Sequence, residues 1–307
     1  MVNPLRLLVS IALFAIAFAH GEPNYVGSAV CKTCHPNVWA NFYKNPHYQT
    51  LALGKPAPQS GCESCHGPAS DHVAAKGDKT KIVAFSVLAP EKVLDNCLAC
   101  HANTLGRANI RRSSHTTARV ACNSCHSIHR ASQPKYLLAK PQTALCFDCH
   151  QNVRAQFSLP FKHRVIEGFM QCSDCHNPHG AAAPTWSMGV RPRMVDTALG
   201  NEQPCMKCHV DKRGPFAFEH PAVRVDGCES CHAPHGSANA RLLRRPQVFP
   251  LCLECHSGGA ADSGFGRQGD GIRPQSASHN MADPRYRNCT TCHVRIHGSN
   301  ADRRFLR

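Results

Sequence analysis

Hydrophobic order in this 307-residue chain is short-ranged almost everywhere. The exception comes first: an apolar run from Leu7 to Ala19, broken only by Ser10 and preceded by Arg6. Its 13 residues are too few for a comfortable membrane span, and Ala17-Phe18-Ala19 puts small residues where a signal peptidase reads. Residues 1–19 are therefore expected to be a signal peptide, and residues 20–307 an exported mature chain in the periplasm. No later run approaches the apolar length of a transmembrane helix.

Beyond that run no segment alternates convincingly enough to read as a strand. Trp39, Phe42 and Tyr43 would share one face of a short helix between Asn37 and Asn45, or would pack on a flat cofactor. Pro56, Pro58, Gly77, Pro134, Pro141 and the stretch from Pro184 to Pro192 punctuate the rest as loops, and Ser257 to Gly271 holds six glycines. The expected fold class is mostly coil with short α-helices and almost no β-structure.

Composition explains how so little regular structure could hold together. Aromatics make up 7% of the chain and charged residues only 18%, so neither a large side-chain core nor disorder fits. The chain instead carries 20 cysteines and 21 histidines. Every cysteine lies in a C-x-x-C-H pentapeptide, whereas a shuffled chain would hold roughly 0.1 such matches. The ten cysteine pairs are Cys31 and Cys34, Cys62 and Cys65, Cys97 and Cys100, Cys122 and Cys125, Cys146 and Cys149, Cys172 and Cys175, Cys205 and Cys208, Cys228 and Cys231, Cys252 and Cys255, and Cys289 and Cys292. The histidines that close them are His35, His66, His101, His126, His150, His176, His209, His232, His256 and His293.

Two thiols on one turn can both bond the vinyl groups along one haem edge, and the next residue, His, then reaches the iron. Zinc sites and disulfides give no reason for a histidine after every pair, and no βαβ pattern supports a thioredoxin-like motif. Ten covalent haems c are therefore expected.

Apart from His20, ten histidines remain: His47, His72, His115, His129, His163, His179, His220, His235, His279 and His297. Their number matches a second axial ligand for every iron. The order is regular as well, in five segments: Cys31 to His72, Cys97 to His129, Cys146 to His179, Cys205 to His235, and Cys252 to His297. Each reads motif, spare His, motif, spare His. In the middle three segments the last spare His follows its motif His by three residues, too close to swing to the far face of its own haem. It should ligate a neighbouring haem and so stitch the array together; which histidine serves which iron stays open. Met170, Met188, Met194, Met206 and Met281 show no regular offset, so low-potential bis-histidine ligation is expected throughout. Irons closed on both faces leave no open site, and no catalytic residue is assigned.

Cys122 to His150 resembles Cys228 to His256, with Leu-Leu-x-x-Pro-Gln from Leu137 and from Leu242, a duplication at an offset of 105 to 106 residues. The formal charge of +15 becomes roughly +4 with ferric haems and −6 with ferrous ones, once the signal is removed and propionates are counted. The Lys/Arg excess, including Arg111-Arg112 and Arg303-Arg304, then balances propionates or faces a partner, and nucleic acid is not an expected partner.

The chain resembles the MtrA-type, or DmsE-type, decahaem c-type cytochromes, whose relatives occur in metal-reducing and iron-oxidising bacteria. The likeness is carried by Gly61-Cys-Glu-Ser-Cys-His-Gly-Pro68, Val153-Arg-Ala-Gln-Phe157, Gln171 to Gly180, Arg213-Gly-Pro-Phe216 and Glu219-His-Pro221. It implies an elongated haem wire, bis-histidine ligation at all ten haems, and pentahaem halves of 20–165 and 166–307, although the third segment straddles that division. It also implies a β-barrel porin partner in the outer membrane, periplasmic or inner-membrane cytochromes on one side, and an extracellular multihaem cytochrome or iron mineral on the other. A polar, irregular chain cannot face lipid, so a wire crossing a membrane needs such a sheath. The expected function is electron transfer across the outer membrane to or from extracellular iron, in a direction the sequence does not encode. The alternative is a soluble periplasmic shuttle to a terminal reductase, such as a dimethyl sulfoxide reductase.

Overall fold

The computed structural model describes residues 23–42, 44–50, 60–103, 109–130, 135–180, 204–256, 275–276, 279–280 and 284–307. Residues 1–19, expected to be a signal peptide, together with Tyr43, Met188, Met194, Met281, the glycine-rich stretch 257–271 and the side chain of His279 lie outside the described residues. The described parts form two compact bodies, one from Met1–Ala99 and Ala121–Ala139, the other from Cys100–Val120 and Lys140–Arg307.

The fold is mostly coil with short helices. The longer ones are α1 (Pro36–Phe42), α2 (Pro90–His101), α3 (Gln142–Phe147), α4 (Gln151–Gln156) and α5 (Val248–His256). The strands are two residues each: β1 (Phe218–Glu219) pairs antiparallel with β4 (Gly298–Ser299), and β2 (Gln275–Ser276) with β3 (His279–Asn280). Among the described residues no helix is long and apolar enough to cross a membrane.

The sequence favours helix only where a motif or an apolar stripe recurs at helical spacing. Val93, Leu94 and Leu98 are buried on α2, and Pro90 opens it, where a missing N–H costs nothing. α1 begins at Pro36, and its Phe42 is buried as expected. The described helix ends at Phe42, and beyond it Asn45 is turned inward, its amide donating to the Ile128 carbonyl at 2.8 Å.

The buried apolar residues are few: Phe42, Ala69, Val93, Leu94, Leu98, Leu137, Phe157, Val165 and Leu251 among the described ones. A polypeptide this long normally buries far more. The buried Glu63 carboxylate does some of the core's work in the first body. It accepts from the amides of Val26 at 3.0 Å, Gly27 at 2.8 Å and Ala69 at 3.0 Å, fastening the N-terminal strand of coil to the second motif.

Candidate functional site

All ten C-x-x-C-H motifs share one local conformation. In eight of them the histidine amide donates to the carbonyl of the first cysteine four residues back, at 2.8 to 3.0 Å. The other two, ending at His101 and His256, form the last turns of α2 and α5. One helical turn sets both sulfurs on the same side, and the histidine follows on the next turn.

The first cysteines of paired motifs also meet. Cys31 and Cys62 share a thiol hydrogen bond, as do Cys146 and Cys172, Cys205 and Cys228, and Cys252 and Cys289. Each pair joins the two motifs of one segment, in the first, third, fourth and fifth segments. The bond from Cys31 lowers the Cys62 thiol to about 6, and that from Cys146 lowers Cys172 to about 7. Burial and the neighbouring Cys289 raise Cys252 to about 12.

The motif histidines face the spare ones. Seven imidazole pairs stand among the described residues: His35 with His72, His66 with His129, His150 with His115, His176 with His235, His209 with His163, His232 with His297, and His256 with His220. Their ring centroids are 5.8 to 6.4 Å apart. That is far beyond stacking contact, and it matches a metal held between the rings. With metal–nitrogen bonds of about 2 Å on each side, the centroids would stand roughly 6.3 Å apart. The rings are near parallel in four pairs, at 9° to 18°, tilted by 44° in His176–His235, and steep at 63° and 65° in the pairs of His163 and His115. The remaining motif histidines are His101, His126 and His293, and the remaining spare ones His47, His179 and His279.

Hydrogen bonds set the tautomer. The Nδ1 atoms of His66, His72, His115, His126, His163, His232 and His293 lie 2.6 to 3.0 Å from the carbonyls of Val83, Asp78, Pro178, Tyr136, Pro234, Arg241 and Arg304 respectively. A carbonyl only accepts, so Nδ1 carries the proton and Nε2 keeps its lone pair for a metal. Burial also lowers His129, His176, His220, His235 and His256 and takes His297 down to about 4, which keeps these rings neutral.

The pairing follows a rule that sequence reading missed. Except in the first segment, each pair joins neighbouring segments. The spare His between two motifs faces the first motif of the next segment: His115 to His150, His163 to His209, His220 to His256. The last spare His faces the second motif of the segment before: His129 to His66, His235 to His176, His297 to His232. One carbonyl holds the two directions together, since the residue before a last spare His accepts from a side chain of the preceding segment. His115 bonds Pro178, His163 bonds Pro234, and His220 bonds Ile296, while Asn45 serves Ile128 in the first segment. No side chain announces these acceptors in the sequence, because each is a backbone carbonyl that any residue would offer.

The set fits haem on three counts: a sparse apolar core, paired imidazoles at metal-bridging distance, and Nδ1 atoms held by carbonyls, which leaves the Nε2 lone pair to a metal. The residues present would hold each porphyrin by two thioethers and two imidazoles.

Comparison with known proteins agrees. Residues 115–155 and 220–261 match the doubled CXXCH motif family, and residues 70–127 match the cytochrome c554 and c-prime family. The chain is 34% identical to the multiheme cytochrome MtrA of Shewanella baltica over 92% of its own length and 81% of that relative's. It is 22% identical to the nine-heme cytochrome c of Desulfovibrio desulfuricans, over 74% of this chain and 83% of the relative. Against the C-type polyheme cytochrome OmcB of Geobacter sulfurreducens it is 24% identical over 52% of this chain and only 25% of the relative.

Proposed function

Because this chain belongs to the family of the multihaem cytochrome MtrA, we propose that it is a decahaem conduit that carries electrons through an outer-membrane β-barrel. As a multihaem c-type cytochrome it binds haem c covalently through its C-x-x-C-H motifs and transfers electrons. The finer reading assigns ten haems, each with its motif histidine on one face and a spare histidine on the other.

The observation that carries it is the set of seven facing imidazole pairs, six of which join neighbouring segments. Each haem supplies a one-electron Fe(III)/Fe(II) couple. The protein's part is to attach, orient and crowd these couples. Thiols of paired motifs meet in four segments, which would bring two porphyrin edges together there, and the exchanged histidines would bring successive segments together. Tunnelling falls exponentially with gap, so crowding is what makes a relay. Imidazoles on both sides of each iron would keep oxygen and small ligands off it, which suits a carrier rather than an enzyme.

In this reading residues 1–19 direct export and residues 20–307 form the mature carrier, seated from the periplasm in a porin partner. Periplasmic or inner-membrane cytochromes serve one end, and an extracellular cytochrome or iron mineral the other. The same wire serves iron oxidation and iron reduction.

The test is a vesicle assay. The holoprotein is reconstituted with the candidate barrel in vesicles that enclose a redox dye, and iron is presented outside. Dye and iron should exchange electrons only when both proteins are present. Exchange that ignores the barrel, or a holoprotein that never associates with it, would instead favour the soluble shuttle.

A further inference from the structure

His235 is held differently from the seven other motif and spare histidines whose Nδ1 hydrogen bond is seen. Wherever else an Nδ1 partner is seen among the described residues it is a backbone carbonyl, whereas His235 Nδ1 meets the side-chain Oε1 of Gln156 at 3.0 Å. A backbone carbonyl is the same in every sequence; a side-chain acceptor is a choice. We propose that Gln156 is a positioning residue that sets the reduction potential of one haem, the one attached at Cys172 and Cys175 between His176 and His235. The inference rests on the bis-histidine reading above.

The surroundings place Gln156 deliberately. It is the last residue of α4, and its own carbonyl accepts from Leu159, 3.1 Å away. That same carbonyl lies so close to Gly236 that a Cβ there would sit 2.0 Å from the oxygen. The end of α4 is thus pressed against the residue after His235. The next residue of the helix end, the buried Phe157, lies against the His235 ring at 5.2 Å between centroids. His235 is held between an amide oxygen at its Nδ1 and an aromatic ring. Gln156 and Phe157 end the Val153-Arg-Ala-Gln-Phe157 stretch, which the attachment motifs leave unexplained.

The chemistry follows from the tautomer. With Nε2 committed to iron, Nδ1 carries hydrogen and only an acceptor can face it, so the amide oxygen points inward. Accepting this bond makes the imidazole a stronger donor, favours Fe(III), and lowers the potential. A carboxylate at this position would pull harder on the proton and lower the potential further; an apolar side chain would release it and raise the potential. The bond also fixes the 44° tilt between His235 and His176, an angle intermediate between the near-parallel and steep pairs. The electron paramagnetic resonance signal of a low-spin haem depends on that angle.

The experiment compares holoprotein carrying Gln156→Glu, Gln156→Leu and His235→Met with the unaltered protein, after mass spectrometry shows equal haem content. Redox titration with paramagnetic resonance detection should show a single one-electron component move. It should go down in Gln156→Glu and up in Gln156→Leu, with an altered signal for that component alone. A role in stability only would shift the two variants in the same direction or not at all, and would overturn the proposal. His235→Met separates the two levels of the argument. If it moves one component upward while the Gln156 variants do nothing, ligation stands and the tuning role fails. If it too changes nothing, His235 is no ligand, and the bis-histidine reading fails with it.

Discussion

His163 donates its Nδ1 proton to the Pro234 carbonyl at 2.7 Å, one residue before His235. His163 faces His209 and His235 faces His176, so a single peptide bond ties together two facing imidazole pairs from different segments. The same link recurs from His115 to Pro178. Exchange of histidines between segments makes them interdependent, although each is only a short piece of chain.

Replacing one exchanged ligand should therefore act on one haem. His163→Met keeps an axial donor but trades imidazole for thioether, and should raise the potential of the haem attached at Cys205 by on the order of 100 mV, a small part of the roughly 0.8 V that axial ligands span. A spectroelectrochemical titration should show a single component displaced upward with haem attachment complete. An unchanged titration would remove His163 from the ligand set.

Glu63 offers a test of how the first body holds without a large core. Gln in its place keeps the shape but loses the charge that three amides share. Glu63→Gln should cost about 1–3 kcal/mol, because a buried N–H is left facing a weaker or reversed partner. The denaturation midpoint measures this, and an unaltered midpoint would show the clasp to be dispensable.

Gly236→Ala should be poorly tolerated for a steric reason. The new Cβ would collide with the Gln156 carbonyl, a backbone atom that cannot rotate away. A loss of about 1–3 kcal/mol is expected, as for other overpacked sites, with the His176–His235 haem the first to change its spectrum. Wild-type stability and spectrum in this variant would contradict the close approach.

Acid should weaken the fold through the buried imidazoles. His297 is held at about 4 by burial, below the usual 6.5 of an unfolded histidine. Between those values the unfolded chain binds more protons than the folded one, so stability is complete above about 6.5 and falls as pH drops through the window. Denaturant midpoints measured from pH 7.5 to 4.5 should decline steadily. A midpoint that rises on acidification would contradict the neutral state of these rings.

What the sequence reveals here is what covalent chemistry must write in a line. A haem edge demands two thiols and a histidine at fixed spacing, so the cysteines, their histidines and the mostly coiled fold are readable directly. The duplication is readable too, and the structure gives its reason. Tyr136 and Leu137 in one copy, and Arg241 and Leu242 in the other, all adopt positive φ, so that Tyr136 and Arg241 can present carbonyls to His126 and His232. Ser127 and Ala233 then bond back to Leu137 and Leu242. A third version is hidden: Arg304 serves His293 and Phe305, again at positive φ, accepts from Arg295, yet no Leu-Leu-x-x-Pro-Gln announces it. The pairing of spare histidines is equally hidden, because it depends on which segments cross in space. His129 lies three residues from His126 but faces His66. Gln156 is invisible for the same reason, an ordinary amide at a helix end until His235 arrives beside it.

The central claim is a relay of ten haems, every iron closed by two imidazoles. Spin quantitation of the electron paramagnetic resonance spectrum of the fully oxidised, mature protein tests count and ligation together. The account predicts signals that integrate to ten low-spin ferric haems, in classes set by near-parallel and steeply tilted rings. A high-spin signal, or a total short of ten, would contradict it.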